Sequence, residues 1–286
     1  MSHILIIGAS GQLGGALMDV SRERGWKISA PSREECDIMN ASSVEKAIIS
    51  ANPDVVVNCA WLPVTECEKD EERANLVNAK GAGDVARAAG SVGAISVQIS
   101  TDYVFDGERG NYVETDEPHP INAYGRSKLH GEELVRAAAK RHYIIRTSAL
   151  FGIHAKPLGN FVLKMKDRAE KGLRTEVVND QYTRPTSADE LAERIIDLVS
   201  NGAPFGTFHI ANEGVASWYD IAKEVSFLSG KAELVVPSTT IFHEGDVIRP
   251  MRSTLSTKKM EALGYPPLSH WKNAVERYWD SIVLHV

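Results

Sequence analysis

The sequence predicts an α/β fold: a doubly wound parallel sheet with a second, smaller lobe. Two observations predict it. Short aliphatic runs alternate with helix-period segments through the first half of the chain, and past Leu150 this pattern loosens into glycines, prolines and short helices. A chain of 286 residues can hold one large α/β domain and a small lobe around its edge.

Ile4-Leu5-Ile6-Ile7 is an apolar run closed by Gly8, as a strand buried on both faces requires. Leu13, Leu17 and Val20 then recur at helical spacing. Lys27 to Ala30 reads as the second strand and Ala41 to Ser50 as a helix. Asp54 to Asn58, following Pro53, is the third strand, and Glu72 to Ala89 a longer helix. Ala94 to Ser100 gives the fourth strand, Asn122 to Lys140 a helix, and Tyr143 to Thr147 the fifth strand. Repeated βα units with right-handed crossovers put the strand C-termini along one edge, where ligands bind. Beyond Leu150 the spacing predicts a helix over Ser187 to Ser200 and a strand over Thr207 to Ile210. Further helices are expected to begin near Ser217, Ser256 and Ser269. No internal repeat or low-complexity tract interrupts the chain.

Composition narrows the function classes. A net charge of -6 argues against nucleic acid as a partner, because such binding needs a dense basic face. No run approaches the roughly 18 apolar residues of a membrane span. Ile4 to Ile7 is too short for the core of a signal segment. Cys36, Cys59 and Cys67 lack metal-site spacing and read as reduced thiols, so the expected location is cytoplasmic.

Gly8, Ser10, Gly11, Gln12, Leu13 and Gly14 form a glycine turn between the first strand and the first helix. Glycines there let the backbone bend sharply and approach a pyrophosphate held by helix-opening amides. This is a Rossmann-type cofactor signal. It divides the chain into a dinucleotide-binding domain over residues 1–150, rejoined by 186–212, and a substrate-binding lobe over 151–185 and 213–286. At the end of the second strand no acid precedes Glu34, and Ser32 and Arg33 can donate to a 2′-phosphate. NADP(H) is therefore expected, with NAD(H) as the alternative, and a solvated Arg33 is the bland reading of that side chain.

Tyr124 and Lys128 are four residues apart at the head of a helical stretch, hence on one face with Cβ atoms roughly 5–6 Å apart. A nearby ammonium lowers a phenol from its usual value of about 10, which suits it to general acid work. Thr101 ends the fourth strand at the ligand edge, where its hydroxyl can orient the same substrate oxygen.

The glycine turn, Ser100-Thr101-Asp102-Tyr103-Val104-Phe105, Tyr124-Gly125-Arg126-Ser127-Lys128 and Asn179-Asp180-Gln181 before Pro185-Thr186 resemble the dTDP-4-dehydrorhamnose reductase family over nearly the whole chain. The resemblance implies an extended short-chain fold and NADPH-dependent reduction of a dTDP-linked 4-keto-6-deoxy sugar. It implies Thr101, Tyr124 and Lys128 as the catalytic set. Asp37 and Ile38 would then lie near the adenine, with Asn58, Cys59 and Ala60 along the cofactor path. On the substrate side it points to Asp102, Tyr103, Asn160, Phe161 and Gln181, with Phe161 either packing on a base or serving as a core phenylalanine, while Trp61 is expected to fill sugar-side space from across the pocket. Arg184, Arg249 and Arg252 are loop arginines whose forks suit a diphosphate, or else surface arginines. A second acid directly after Asp102, as sugar dehydratases carry, is absent, since Tyr103 stands there.

Two positions depart from the family pattern: Leu62 replaces a threonine expected to face the sugar, and Ala149 a tryptophan. Ala16 occupies the place of a metal-binding carboxylate in some relatives, so no metal is expected. The scattered histidines His119, His209 and His243 are given no ligand role. Two competing readings remain. One is a non-catalytic NADP-binding regulatory subunit resembling the methionine adenosyltransferase β subunit; the other is an epimerase holding NAD. A monomer or a homodimer is expected.

Overall fold

The structure is a computed structural model that describes residues 2–157 and 159–283. Its first half runs β1 (His3–Ile7), α1 (Gln12–Glu23), β2 (Lys27–Ser29), α2 (Ala41–Ala51), β3 (Val55–Asn58), α3 (Val64–Lys69) and α4 (Glu71–Ala74). A π-helical segment over Asn75–Lys80 leads into α5 (Gly81–Ser91), then β4 (Ile95–Thr101), α6 (Ala123–Ala138), β5 (His142–Thr147) and β6 (Leu150–Phe151). The second half runs α7 (Phe161–Glu170), β7 (Thr175–Val178), β8 (Tyr182–Thr183), β9 (Thr186–Ser187), α8 (Ala188–Ser200), β10 (Gly206–His209), β11 (Asn212–Glu213) and β12 (Ala216–Ser217). It finishes with α9 (Trp218–Leu228), β13 (Val235–Ser238), α10 (Lys258–Ala262), β14 (Leu268–His270) and α11 (Trp271–Val283).

Six strands form one parallel sheet in the order β10-β5-β4-β3-β1-β2. Period-two alternation decides which side each residue serves. Ile4 and Ile6 pack with α1 and α8, while Leu5 and Ile7 pack with α2 and α5. All four are essentially buried, and each such aliphatic side chain contributes roughly 1.5–3 kcal/mol. The chain leaves β1 towards β2 on one side and returns to β3 on the other, so a crevice opens between the ends of β1 and β3, where Ile7 pairs with Asn58.

The helix expected over Glu72 to Ala89 is interrupted. Residues 75–80 take a π turn that the unbroken apolar spacing conceals, and α3 precedes it unforeseen. There α6 crosses so closely that a Cβ on Gly131 would collide with the Asn78 carbonyl oxygen. The smaller lobe has its own core, built on Phe151, Val162, Met165, Val177, Ile221, Val225, Trp271, Val275 and Tyr278. The helix expected near Ser256 is the short α10, and α11 follows Ser269. No helix among the described residues is long and apolar enough to cross a membrane.

Candidate active site

The glycine turn is shaped by its lack of side chains. Gly8 adopts φ +81°, in the left-handed region. A Cβ on Gly14 would run into the Gly8 carbonyl oxygen, so the first turn of α1 sits directly on the strand end. The N-cap is Gly11, which has no side chain to cap the leading amides of α1. A backbone cradle at a helix N-terminus with no side-chain cap fits a pyrophosphate. Leu13 buries its side chain in the core, leaving its amide as one of those donors, and Ser10 is exposed. The Gly8 Cα also lies against Cys59 and Ala60. Burial pushes the Cys59 thiol up to about 12, so it is neutral at physiological pH.

Across the crevice, α6 begins at Asn122, whose side-chain oxygen accepts from the Gly125 amide at 2.8 Å. Gly125 has no room for a Cβ, because the Tyr103 carbonyl oxygen lies against it. The helix start is thereby pressed onto the end of β4, and Tyr124 is brought beside Thr101. Thr101 is buried. Its hydroxyl oxygen accepts from the Tyr103 amide at 3.1 Å, and the hydroxyl donates to Asp102 Oδ1 at 3.1 Å. Lys128 is buried too, and its ammonium donates to the Ile99 carbonyl oxygen at 2.6 Å.

The electrostatics depart from expectation in one respect. Lys128 was expected to bring the Tyr124 phenol down, yet burial dominates and holds it above its ordinary value, with the Thr101 contact the largest opposing influence. Burial pulls Lys128 down to about 8, against the raising effect of Glu132. Asp102 is pushed up to about 7 by burial, opposed by hydrogen bonds from Ser253 and Thr101. Trp61 meets Tyr124 edge-on at 6.1 Å between ring centroids, and Tyr103 does so at 5.9 Å. Arg249 Nη1 reaches the Tyr103 hydroxyl at 3.5 Å.

Comparison with known proteins agrees with this geometry. The model of a family described as the RmlD substrate binding domain matches residues 1–283. A dTDP-4-dehydrorhamnose reductase from Mycolicibacterium smegmatis is 35% identical over 96% of this chain and 84% of its own length. The spore coat polysaccharide biosynthesis protein SpsK of Bacillus subtilis is 37% identical over 97% of both chains. A crystal structure of dTDP-4-dehydrorhamnose reductase from Bacillus anthracis in complex with NADP superposes with a TM-score of 0.93, at 33% identity over 98% of this chain and 99% of that one.

The chain belongs to the dTDP-4-dehydrorhamnose reductase family.

The two positions expected to depart from the family pattern, Leu62 and Ala149, have distinct settings. Leu62 turns into the core under α3, 5% exposed, with its amide held by Asn78 Oδ1 at 3.0 Å. Ala149 takes φ +42°, a conformation that costs an alanine roughly 1–2 kcal/mol, just after β5. Beside it Thr147, in register with Thr101, has a buried hydroxyl with no hydrogen-bond partner among the described residues.

Several residues expected to touch ligands are otherwise engaged. Arg184 donates through Nε to the Asn212 carbonyl oxygen and through Nη1 to that of Leu255, so it braces loops. Asn160 caps α7 by accepting from the Leu163 amide, and its Nδ2 donates to Gln12 Oε1 at 2.8 Å and to the Tyr278 hydroxyl at 3.2 Å. Phe161 packs edge-on against Trp218 at 4.8 Å, which places it with the lobe core. Gln181 donates to Thr240 Oγ1 at 2.9 Å. Ser32 is exposed and exchanges hydrogen bonds with Glu35, whereas Arg33 is exposed with no partner among the described residues. Asp37 Oδ1 accepts from the Met39 amide, and Ile38 packs on Gly81. Arg252 is exposed at a cleft of about 580 Å³ that Asp106, Asp180 and Tyr182 also line.

Sequence reasoning missed Asn78, Asn122 and Ser253. Asn122 carried a readable signal, an asparagine ahead of a helix. Ser253, which donates to Asp102 Oδ2, and Asn78, whose Nδ2 donates to Ser127 Oγ at 3.0 Å, carried none.

Proposed function

We propose that this protein reduces the 4-keto group of a dTDP-linked 6-deoxy sugar with NADPH. The observation that carries the reading is the convergence of Thr101, Tyr124 and Lys128 at the strand ends, across the crevice from the glycine turn. NADPH, when bound, supplies a hydride to the carbonyl carbon and leaves as NADP+. Tyr124 donates its phenolic proton to the carbonyl oxygen, and solvent restores that proton after turnover. Its upward shift keeps it protonated until the oxygen gains charge. Thr101 orients the same oxygen by rotating its hydroxyl hydrogen away from Asp102. Lys128, as the ammonium, favours the phenolate that forms. Trp61, Tyr103 and Arg249 are assigned to the sugar side, and Arg252 is the group offered to the diphosphate. Arg33 is the group offered to a 2′-phosphate, while Ser32 is spent on its own turn. The reading assigns residues 1–150 and 186–212 to the dinucleotide-binding domain and 151–185 and 213–286 to the substrate-binding lobe, although Met260 and Leu268 of the latter pack in the core of the sheet. A cytoplasmic monomer or homodimer accords with three free cysteines.

Tyr124→Phe tests this. Turnover of a dTDP-4-keto-6-deoxy sugar should fall by about 10²–10⁴, the usual worth of a positioned proton donor, while NADPH still binds in a fluorescence titration. Near-normal turnover would falsify the assignment.

A further inference from the structure

Beneath the catalytic cluster lies a buried carboxylate that no step above uses. Tyr124, Lys128, Glu132 and Arg136 follow one another at four-residue intervals along one face of α6. Glu132 is fully buried. It accepts from Ser100 Oγ at 2.6 Å, from Arg146 Nε at 2.8 Å and Nη2 at 2.7 Å, and from Arg136 Nη2 at 2.8 Å. Ser100 and Arg146 are register partners on β4 and β5, and Ser100 immediately precedes Thr101.

We propose that Glu132 is a positioning residue for the reductive site: it clamps the helix bearing Tyr124 and Lys128 to the strand bearing Thr101, and sets a negative charge one helical turn from Lys128. The inference rests on the reductase reading of those three residues.

The clamp follows from two adjacent ties. Lys128 holds β4 by the Ile99 carbonyl, and Glu132 holds it by the next residue's hydroxyl. Consecutive turns of the helix thus grip consecutive strand residues, leaving no freedom for a one-residue slip at Thr101. A well-packed apolar pair could match the stability of a buried ion pair. It could not supply a directional bond to Ser100 or a charge for Lys128. The other titratable groups that act on Lys128 are Cys59 from the end of β3 and Cys67 from α3; Tyr124 lies one turn away on the same helix, and Asp102 follows Thr101 at the end of β4. Burial pushes both thiols and the phenol up, so these three are neutral near pH 7. Burial pushes Asp102 up to about 7, which weakens its charge there. Glu132 opposes its own burial through Arg146 and Ser100 and stays ionised. It is the largest influence keeping Lys128 cationic against burial.

The test compares wild type, Ser100→Ala and Glu132→Gln with NADPH and a dTDP-4-keto-6-deoxy sugar between about pH 6 and 10, a window that lies between the ordinary carboxylate and lysine values and brackets Lys128. The Lys128 titration is followed in parallel by NMR of carbon-13 lysine, its signal assigned by loss in Lys128→Arg. Turnover of the wild type should decline on the alkaline side around pH 8, where Lys128 loses its proton. Ser100→Ala keeps the ion pair, so kcat should drop about tenfold with both KM values and the alkaline limb in place, as a small misplacement costs. In Glu132→Gln the limb and the NMR midpoint should both move about one unit lower, the effect of losing a near charge. Wild-type kcat in Ser100→Ala, or an unmoved limb and midpoint in folded Glu132→Gln, overturns the proposal. Should Glu132→Gln not fold, with Arg146 left unpaired, Ser100→Ala decides alone. A wild type that fails to reduce the sugar sinks the reductase reading instead, and the NMR midpoint then decides the role of Glu132 by itself.

Discussion

Asp102 couples the chemistry of one side chain to the pH response of the fold. Its folded value of about 7 lies above the ordinary 3.9 of an unfolded aspartate. A raised acid stabilises fully below the unfolded value, and that contribution is lost as pH rises through the folded one. Wild type should therefore lose Tm relative to Asp102→Asn between about pH 4 and 7, with no further change above. Calorimetry of both proteins across that range checks it, and a flat difference would count against the buried carboxyl. At this scale the sequence was legible where function is local. Tyr124 and Lys128 are found by helix geometry alone. The direction of the Tyr124 shift was not legible, because burial is set by residues far along the chain. Ser253, 151 positions from Asp102, is the same case.

Elements carry the cofactor argument. The turn after β1 works only while α1 rests on the strand end, and Gly14 is the contact point. Gly14→Ala puts a methyl group against backbone that has nowhere to move. NADPH affinity should weaken at least about 100-fold, or roughly 2.7 kcal/mol, in a fluorescence titration, with dTDP-sugar binding retained. Unchanged NADPH affinity would remove the cradle from the site. The glycine spacing announced this element because a steric demand leaves few alternatives in the alphabet. The π turn over 75–80 left no such mark, since its apolar spacing still reads as α-helix. The parallel pair β7 and β13 was equally silent: in sequence its partners are separated by α8, α9 and the five strands β8 to β12, and they meet only through lobe packing.

At the scale of the whole molecule, bonds that tie the smaller lobe to the sheet domain include Asn160 to Gln12, Ser253 to Asp102, Arg249 to Tyr103, and Asn122 Nδ2 to the Ile248 carbonyl oxygen at 2.9 Å. Asn160→Ala removes a helix cap and the tie to the glycine turn together. A loss of about 1–2 kcal/mol is expected, read as a Tm drop of a few degrees with a weaker NADPH affinity. A drop in Tm without any change in affinity would confine Asn160 to its own lobe. The parallel sheet was readable from β1 onward, whereas the hydrogen bonds of Asn160 and the packing of Phe161 on Trp218 were not, because a loop's partners depend on the finished tertiary arrangement. Gly131 adds a hazard at this scale. The rear of α6 touches the neighbouring backbone at Asn78 with no space for a methyl group. Any larger residue there would act as a wedge, prising the tyrosine and lysine off the strand tips while leaving each reacting atom chemically intact. A lesion at that remote point would pass for a defect of catalysis.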